Sequence, residues 1–435
     1  MNIGFDDTDS PKGMCTTFLA YKIVDLLQKQ KTVFLDFPRL IRFNPNIPWK
    51  TRGNGAVAMK IKTKNPFKIK NQIKNMISKY SDTQNGANPG LVFLESESVP
   101  AEFVKFSNLA LWQLINRDHA KKFAKRNNLE VYFQGNGQGL VGAIGAIGYD
   151  FQDHTLELLS YRKKSKFGKE RKISSESVKI MQDQTFPSTF NSFDVEKERV
   201  LIMPHGPDPV FYGIRGETVD SLLRATTILK NEEKLDGYMI FKSNQGTGDH
   251  LKNELNSENM KPYASGRITG VVSDVPKVVH GGHVFFKIIS QNCEFWCAVY
   301  KPTGMSTVAS NLIKGDKICV GGGVRKASKN FPRIINLEFL DIQFLEKKEA
   351  ISNPDCTKCH KKMKSKGKRQ GFQCVRCGKK HPKKISFEVS REIKKQLYLP
   401  QISAHRHLTR PLQRIGIVNN KSDFEESVSW FHVYR

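Results

Sequence analysis

Short apolar runs alternate with helix-period stretches along the first half of the chain. Residues 2–5 read as a strand that runs into a carboxylate-rich turn, and Phe18, Leu19, Ile23, Leu26 and Leu27 then recur at helical spacing. Strand-like runs at 32–37, 55–61 and 91–94 interleave with a polar helix at 67–80 and helices at 101–116 and 120–127. This α/β alternation is taken as a first domain, 1–128. A second, 129–260, opens with a strand at 131–133 and a Gly/Ala-rich helix ending at Gly148. Strands at 156–161, 210–214 and 237–241, a helix at 218–229 and a polar, basic excursion at 165–191 give it a ferredoxin-like order.

The texture changes between 261 and 348. Runs at 267–272, 283–290, 295–300, 316–321 and 333–343 are rich in Val, Ile and Phe, and one helical piece at 305–313 separates the third from the fourth. Five strands with a helix there is the order of an OB-fold β-barrel. Phe286, Phe295, Trp296 and Tyr300 are either barrel core or a base-stacking face. The last stretch, 349–435, is read as a zinc ribbon with a basic tail. The expected class is therefore α+β multidomain, and 435 residues suit several cores.

Charge narrows the function. Seventy Lys+Arg against 42 Asp+Glu leave +28, and 351–435 alone holds 20 basic against 6 acidic residues. A concentrated excess favours a polyanionic partner through counterion release. No amphipathic Leu/Trp face accompanies it, so nucleic acid is preferred to a membrane surface. No run approaches the roughly 20 apolar residues of a spanning helix. The first residues lack a basic cluster followed by an apolar run, so no secretory signal is read and a cytoplasmic setting is expected.

Four of the eight cysteines form Cys356-x-x-Cys359 and Cys374-x-x-Cys377. Two such turns supply four thiolates, the set for a tetrahedral structural Zn²⁺. His360 and His381 are alternative ligands. Metal binding would supply folding free energy to a segment poor in apolar residues.

No G-x-x-x-x-G-K-S/T loop occurs, so a nucleotide would need another cradle. Asp6, Asp7 and Asp9 cluster at a strand end, where a cation would relieve their repulsion; Mg²⁺ bridging phosphates fits. Gly13 allows close backbone approach, and the helix start at Cys15-Thr16-Thr17 offers N–H groups to a phosphate. The bland account is an acidic capping loop. Gly137-x-Gly139-x-x-Gly142 follows a strand and opens a helix, with Glu157 as the ribose ligand if it is a dinucleotide fingerprint; the other account is a packing helix. The loop 44–55, with Trp49, Lys50, Arg52 and Asn54, suits nucleotide recognition or is an ordinary structured loop. Asp208 and Glu217 could pair with an amine or guanidinium, and 243–247 ends the last strand of the same domain. His405 and His407 are surface residues or part of a phosphate-contacting tail.

Taken together, Gly4-Phe5-Asp6-Asp7-Thr8-Asp9-Ser10 with Gly13-Met14-Cys15-Thr16-Thr17, the 44–55 loop, Gly206-Pro207-Asp208-Pro209, Gly213-Ile214-Arg215-Gly216, Asn244-Gln245-Gly246-Thr247 and the ribbon resemble the archaeal isoleucine-tRNA 2-agmatinylcytidine synthetase family. The resemblance runs from residue 1 through the ribbon. It implies a kinase-like domain, a ferredoxin-like domain, an OB fold and a zinc ribbon. It implies an ATP-dependent ligase that joins agmatine to C2 of cytidine 34 of the AUA-decoding isoleucine tRNA, by phosphorylating the cytidine O2 and consuming ATP to AMP. The implied site has Asp6, Asp7 and Asp9 holding Mg²⁺ and phosphate, with Thr16 as the autophosphorylated threonine. Gly13, Met14, Cys15, Thr17, Arg52 and Asn54 are implied around ATP. Asp208, Arg215, Glu217, Asn244 and Gln245 are implied around agmatine. The chain departs from the pattern in placing Gly248 between Thr247 and Asp249. The competing expectation is a non-enzymatic OB-fold and zinc-ribbon protein that binds single-stranded nucleic acid.

Overall fold

A computed structural model of the chain describes residues 1–329, 331–421, 424 and 428–434. It resolves into two compact units, Met1–Ile268 with Gly321–Glu338 and Leu399–Arg435, and Thr269–Val320 with Phe339–Tyr398.

The first unit is built on one mixed sheet. Its strands are β1 (Asn2–Asp6), β2 (Val33–Phe34), β3 (Arg39–Arg42), β4 (Gly55–Lys62), β5 (Gly90–Leu94), β6 (Glu130–Phe133), β7 (Thr155–Arg162) and β8 (Thr189–Phe190). A small separate hairpin, β9 (Phe193–Asp194) and β10 (Arg199–Val200), precedes β11 (Val210–Gly216) and β12 (Leu235–Ser243). The order is β6-β5-β1-β4-β3-β12-β7-β11-β8, with β2 on β4 and the terminal strand Phe431–Val433 on β12. The two expected α/β domains thus share a single sheet, joined where β3 and β12 run parallel, Arg39 opposite Lys242 and Leu40 opposite Ser243. The strand at 130–133, expected to open the second domain, pairs with β5 in the first half.

Alternation decides the layers. Ile3, Phe5, Val57, Met59, Leu91 and Phe93 face one core, where helices α1 (Thr16–Lys29) and α2 (Pro66–Tyr80) lie. Ala56, Ala58 and Val92 face the other, covered by α3 (Ala101–Trp112), α4 (Arg117–Arg126) and α5 (Gly139–Gly148). Over the second half lie α6 (Ser175–Thr185) and α7 (Val219–Ile228).

Helix α5 sits directly on the sheet because glycines remove the intervening side chains. A Cβ on Gly4 would come within 2.2 Å of the Ala143 carbonyl, and one on Gly90 within 2.1 Å of the Leu140 nitrogen. On the helix itself, Gly142 leaves room for the Asp6 carboxylate, 2.0 Å from where a Cβ would stand. The G-x-G-x-x-G run is accounted for by this packing, and the dinucleotide reading of Gly137–Gly142 is not needed.

The second sheet carries β13 (Ser265–Val272), β14 (Lys277–Val278), β15 (Val284–Ser290), β16 (Cys293–Val299), β17 (Lys317–Arg325) and β18 (Ile334–Phe344). Pairing of β13 with both β17 and β15 closes five of these strands into a barrel, and α8 (Ser306–Ser310) lies between the third and fourth of the five in chain order, as the periodicity predicts. Phe286 and Phe295 are barrel core, whereas Trp296 is half-buried under the Lys287 ammonium, 4.8 Å from its ring centre. Among the described residues no helix is long and apolar enough to cross a membrane.

Gly4→Ala is expected to cost about 1–3 kcal/mol, since the obstruction is backbone and cannot rotate away. Chemical denaturation checks this; an unchanged midpoint would mean that α5 moves off the sheet freely.

Candidate active site

The loop after β1 is held in an unusual backbone conformation. Asp7 and Met14 adopt left-handed backbone conformations (φ 56° and 58°), as does Asn54 across the cavity (φ 48°). None is glycine, and such conformations persist where the surroundings enforce them. Around Met14 the enforcing group is Arg52. Its guanidinium pairs with Asp9 and donates to the carbonyls of Met14 (2.9 Å) and Ser10 (3.1 Å). Ser10 in turn donates to Asp82. Asn54 braces its own loop by donating to the Asn44 carbonyl at 2.7 Å.

The three acids are electrostatically uncomfortable. Burial and the neighbouring Asp7 push Asp6 well above the usual carboxylate range. Burial and Asp9 raise Asp7 to about 7, and burial raises Asp9 to about 6 despite the opposing pull of Arg52. A capping loop has no need of this; a divalent cation would relieve all three at once. No side chain caps α1 at Cys15. Its first-turn N–H groups are therefore left to a ligand or solvent. The Thr16 hydroxyl accepts from Thr8 at 3.1 Å.

Asp6, Asp7, Asp9, Cys15, Thr16, Thr17, Arg52 and Asn54 all line one cavity of about 910 Å³. Gly13 and Met14 do not; Met14 contributes its carbonyl to Arg52. Asp208 and Arg215 line the same cavity. Asp208 is 2% exposed, and its Oδ2 is buried without a hydrogen-bond partner, 3.9 Å from Arg52 Nε. Burial lifts its pKa, against the pull of Arg52 and Arg171. Arg171 fixes the strand-entry turn by donating to the carbonyls of Pro204, Gly206, Asp208 and Val210.

Three of the residues read as agmatine contacts are not in the cavity lining. Glu217 pairs with Arg414. Asn244 exchanges hydrogen bonds with the backbone of Arg42, accepting from its N–H at 2.8 Å and donating to its carbonyl at 2.9 Å. Gln245 is fully buried and donates to Glu157. Asn244 and Gln245 follow the end of β12, where the Arg42 backbone holds Asn244, and Glu217 follows β11, where Arg414 holds it. Asp249 also lies elsewhere, accepting from the Tyr149 hydroxyl.

Sequence reasoning missed Arg42 altogether and gave Glu157 a different role. Both line the cavity, with Glu157 buried on β7. The available signal was a lone acid inside the apolar run Leu156–Tyr161, rare unless paired. His405, Arg406 and His407, read as surface or a phosphate-contacting tail, are half-buried in the cavity wall.

In the ribbon, the Sγ atoms of Cys356, Cys359, Cys374 and Cys377 all lie within 4.8 Å of one another. The two turns repeat each other. His360 N–H donates to the Cys356 carbonyl (2.8 Å) and Gly378 N–H to that of Cys374 (2.9 Å), with left-handed conformations at both His360 and Gly378. Neither His360 nor His381 belongs to the cluster. Four converging free thiols fit a tetrahedral Zn²⁺.

Three family models match parts of the chain. The TiaS TCKD domain matches residues 2–136, the TiaS FLD domain 137–250 and the TiaS C-terminal zinc ribbon domain 353–393. The isoleucine-tRNA 2-agmatinylcytidine synthetase TiaS of Cenarchaeum symbiosum is 46% identical over 434 residues, spanning 100% of this chain and 97% of that protein. The chain belongs to the TiaS family. Among solved TiaS structures, a complex with its isoleucine tRNA and ATP superimposes with a TM-score of 0.86 at 34% identity, covering 100% of this chain and 99% of the other. A TiaS complex with the same tRNA, AMPCPP and agmatine does so with 0.83 at 32% identity and the same coverage.

Two outcomes are expected. Divalent-cation affinity should rise as pH increases from about 6 to 8, with proton release, because Asp7 (about 7) and Asp9 (about 6) must ionise to bind. Calorimetry with Mn²⁺ in buffers of differing ionisation heat measures it; a pH-independent affinity would remove these acids from the cation site. Chelation should open 353–393 to protease while leaving the first unit resistant, and equal sensitivity of both would deny the ribbon a local metal.

Proposed function

We propose that this chain is an ATP-dependent synthetase that joins agmatine to C2 of cytidine 34 in the AUA-decoding isoleucine tRNA. The observation that carries the reading is the convergence on one cavity of the raised carboxylates Asp6, Asp7 and Asp9 with Arg52, on one side, and Asp208, Arg215 and Glu157 on the other. Family membership supports it, since relatives have been solved with their isoleucine tRNA, ATP and agmatine.

The chemistry requires both walls. The cytosine O2 is a poor leaving group. Transfer of a phosphoryl group from ATP to that oxygen makes it a good one. The amine nitrogen then bonds to C2, the C2–O2 bond breaks and inorganic phosphate departs carrying the former O2; a second phosphoryl group passes from the nucleotide to the Thr16 hydroxyl and is released to water, so that ATP ends as AMP and two phosphates. Asp6, Asp7 and Asp9 would hold Mg²⁺, which supplies charge neutralisation to the phosphates. Cys15 and Thr17 border the phosphates at the start of α1, Arg52 and Asn54 shape the loop around the nucleotide, and Thr16 is the hydroxyl placed to take a phosphoryl group; Gly13 supports the acidic loop from outside the cavity lining, its N–H donating to the Ser10 carbonyl. Met14 acts through its carbonyl on Arg52. Agmatine is a dication whose ammonium has a pKa of roughly 10 and must shed a proton to attack. Asp208, with a buried unpartnered oxygen, and Arg215 form its wall. Glu217, Asn244 and Gln245 act from behind by holding that wall.

The same reading divides the shared sheet into a kinase-like half and a ferredoxin-like half near residue 136, because the strand at 130–133 pairs with β5. It takes the barrel of 261–348 as an OB fold and 349–435 as zinc ribbon and tail, with the barrel and the ribbon contacting tRNA. Such an enzyme works where tRNA is made and used, in the cytoplasm. A nucleic-acid binder without activity gains nothing from clustered acids that resist ionisation.

With ATP present, AMP release is expected only when agmatine and the AUA-decoding isoleucine tRNA are both added. Thr16→Ala should abolish tRNA modification while tRNA affinity stays close to that of the parent. Absence of AMP with both substrates supplied would favour the binder, and full activity of the variant would remove Thr16 from the reaction.

A further inference from the structure

Residues that follow the ribbon return to the first unit as a strap over the ends of β7 and β12. Arg414, 1% exposed, donates to Asp153 (2.9 Å) and to the Gly246 carbonyl (2.8 Å), and Arg410 donates to the Thr247 carbonyl (3.0 Å). The N–H groups of Gly246 and Gly248 donate to the carbonyls of His407 (2.9 Å) and Leu408 (2.8 Å). The strap is therefore stitched to the 244–248 turn from His407 onward.

The His407 ring is kept neutral, since desolvation and the nearby Arg42 and Arg215 lower its pKa well below the ordinary value. Its Nδ1 lies 2.9 Å from Arg215 Nη2 and 2.9 Å from Gln245 Oε1. The charge-assisted bond is the stronger, so Nδ1 accepts from Arg215 and the ring hydrogen sits on Nε2, against Gly53. A Cβ on Gly53 would approach Nε2 to 2.7 Å, so that glycine makes the seat for the ring.

The consequence falls on Glu157. Arg215 Nε stands 3.6 Å from one of its oxygens and Arg42 Nη2 3.6 Å from the other. The Nε atoms of both arginines are buried without hydrogen-bond partners. One oxygen of this buried carboxylate, Oε2, accepts from the Gln245 amide; two guanidinium groups flank it, and neither closes on it in the two-pronged geometry that arginine and carboxylate prefer.

We propose that His407 is a positioning residue of the amine site: by occupying the Arg215 guanidinium it keeps Glu157 open to a cationic nitrogen of a guanidino-alkylamine substrate. The inference rests on the agmatine reading above and adds to it Glu157 as the receiving carboxylate and the strap as its keeper.

The experiment compares the full-length parent with His407→Ala and His407→Asn, whose amide oxygen can accept where Nδ1 did. Agmatine binding is measured by calorimetry, and the KM values for agmatine and ATP by AMP release with tRNA. For His407→Ala the agmatine Kd and KM should rise about tenfold, equivalent to about 1.4 kcal/mol, with the ATP KM unchanged. His407→Asn should recover most of the loss. An unchanged agmatine constant, an ATP KM that rises in step, or an asparagine variant as poor as alanine each overturns the proposal. Should the alanine variant fail to fold, His407→Asn and His407→Gln decide: only asparagine sets the acceptor at the right distance, and equal affinities would end the idea. If the parent binds agmatine without turning it over, the functional reading fails and the Kd comparison still judges His407. If the parent does not bind agmatine, both fall.

Discussion

The parallel pairing of β3 with β12 is the contact on which the rest of the first unit depends. It is short, Arg39 to Lys242 and Leu40 to Ser243, and Asn244 extends it by taking both the N–H and the C=O of Arg42 onto one side-chain amide. Without that seam the β6-β5-β1-β4-β3 half and the β12-β7-β11-β8 half would be separate sheets. With it, the acidic loop after β1 and the Asp208 turn before β11 open onto the same cavity.

Electrostatics then sets what the cavity can hold. A chain with a net charge of +28 gathers five acids around this cavity, Asp6, Asp7, Asp9, Glu157 and Asp208. Arg52 is shared, pairing with Asp9 and lying 3.9 Å from Asp208, so it ties the two walls together. The aspartates remain raised in spite of it, which means that the protein does not supply enough positive charge to satisfy them. That shortfall leaves room for a metal ion on one wall and a cationic substrate on the other.

The C-terminal strap shows how a basic tail can be misjudged from charge alone. Arg410 and Arg414 spend their charge on Asp153 and Glu217 rather than on phosphate, and the terminal strand Phe431–Val433 adds to the sheet edge at β12. Within 351–435 most of the remaining basic residues are the lysines of the ribbon.

Much of this was legible one residue at a time. Period-2 and period-3.6 patterns mark β1, α1, the five barrel strands and the helix between them, because each signal is local in the chain. The two Cys-x-x-Cys turns marked the ribbon because a tetrahedral site needs only four thiolates at short spacing. The acid cluster was visible because like charges packed into one short turn require an explanation. Other features were settled by contacts between residues far apart in sequence, which no local pattern encodes. Strand 130–133 chose β5 as its partner, and the glycines of α5 proved to be a packing face. Glu217, Asn244 and Gln245 turned away from the cavity, and Glu157 and His407, distant in the chain, came together in its wall. The chain's own order determined which elements form and what chemistry it carries; the register of β3 on β12 decided which of those groups meet.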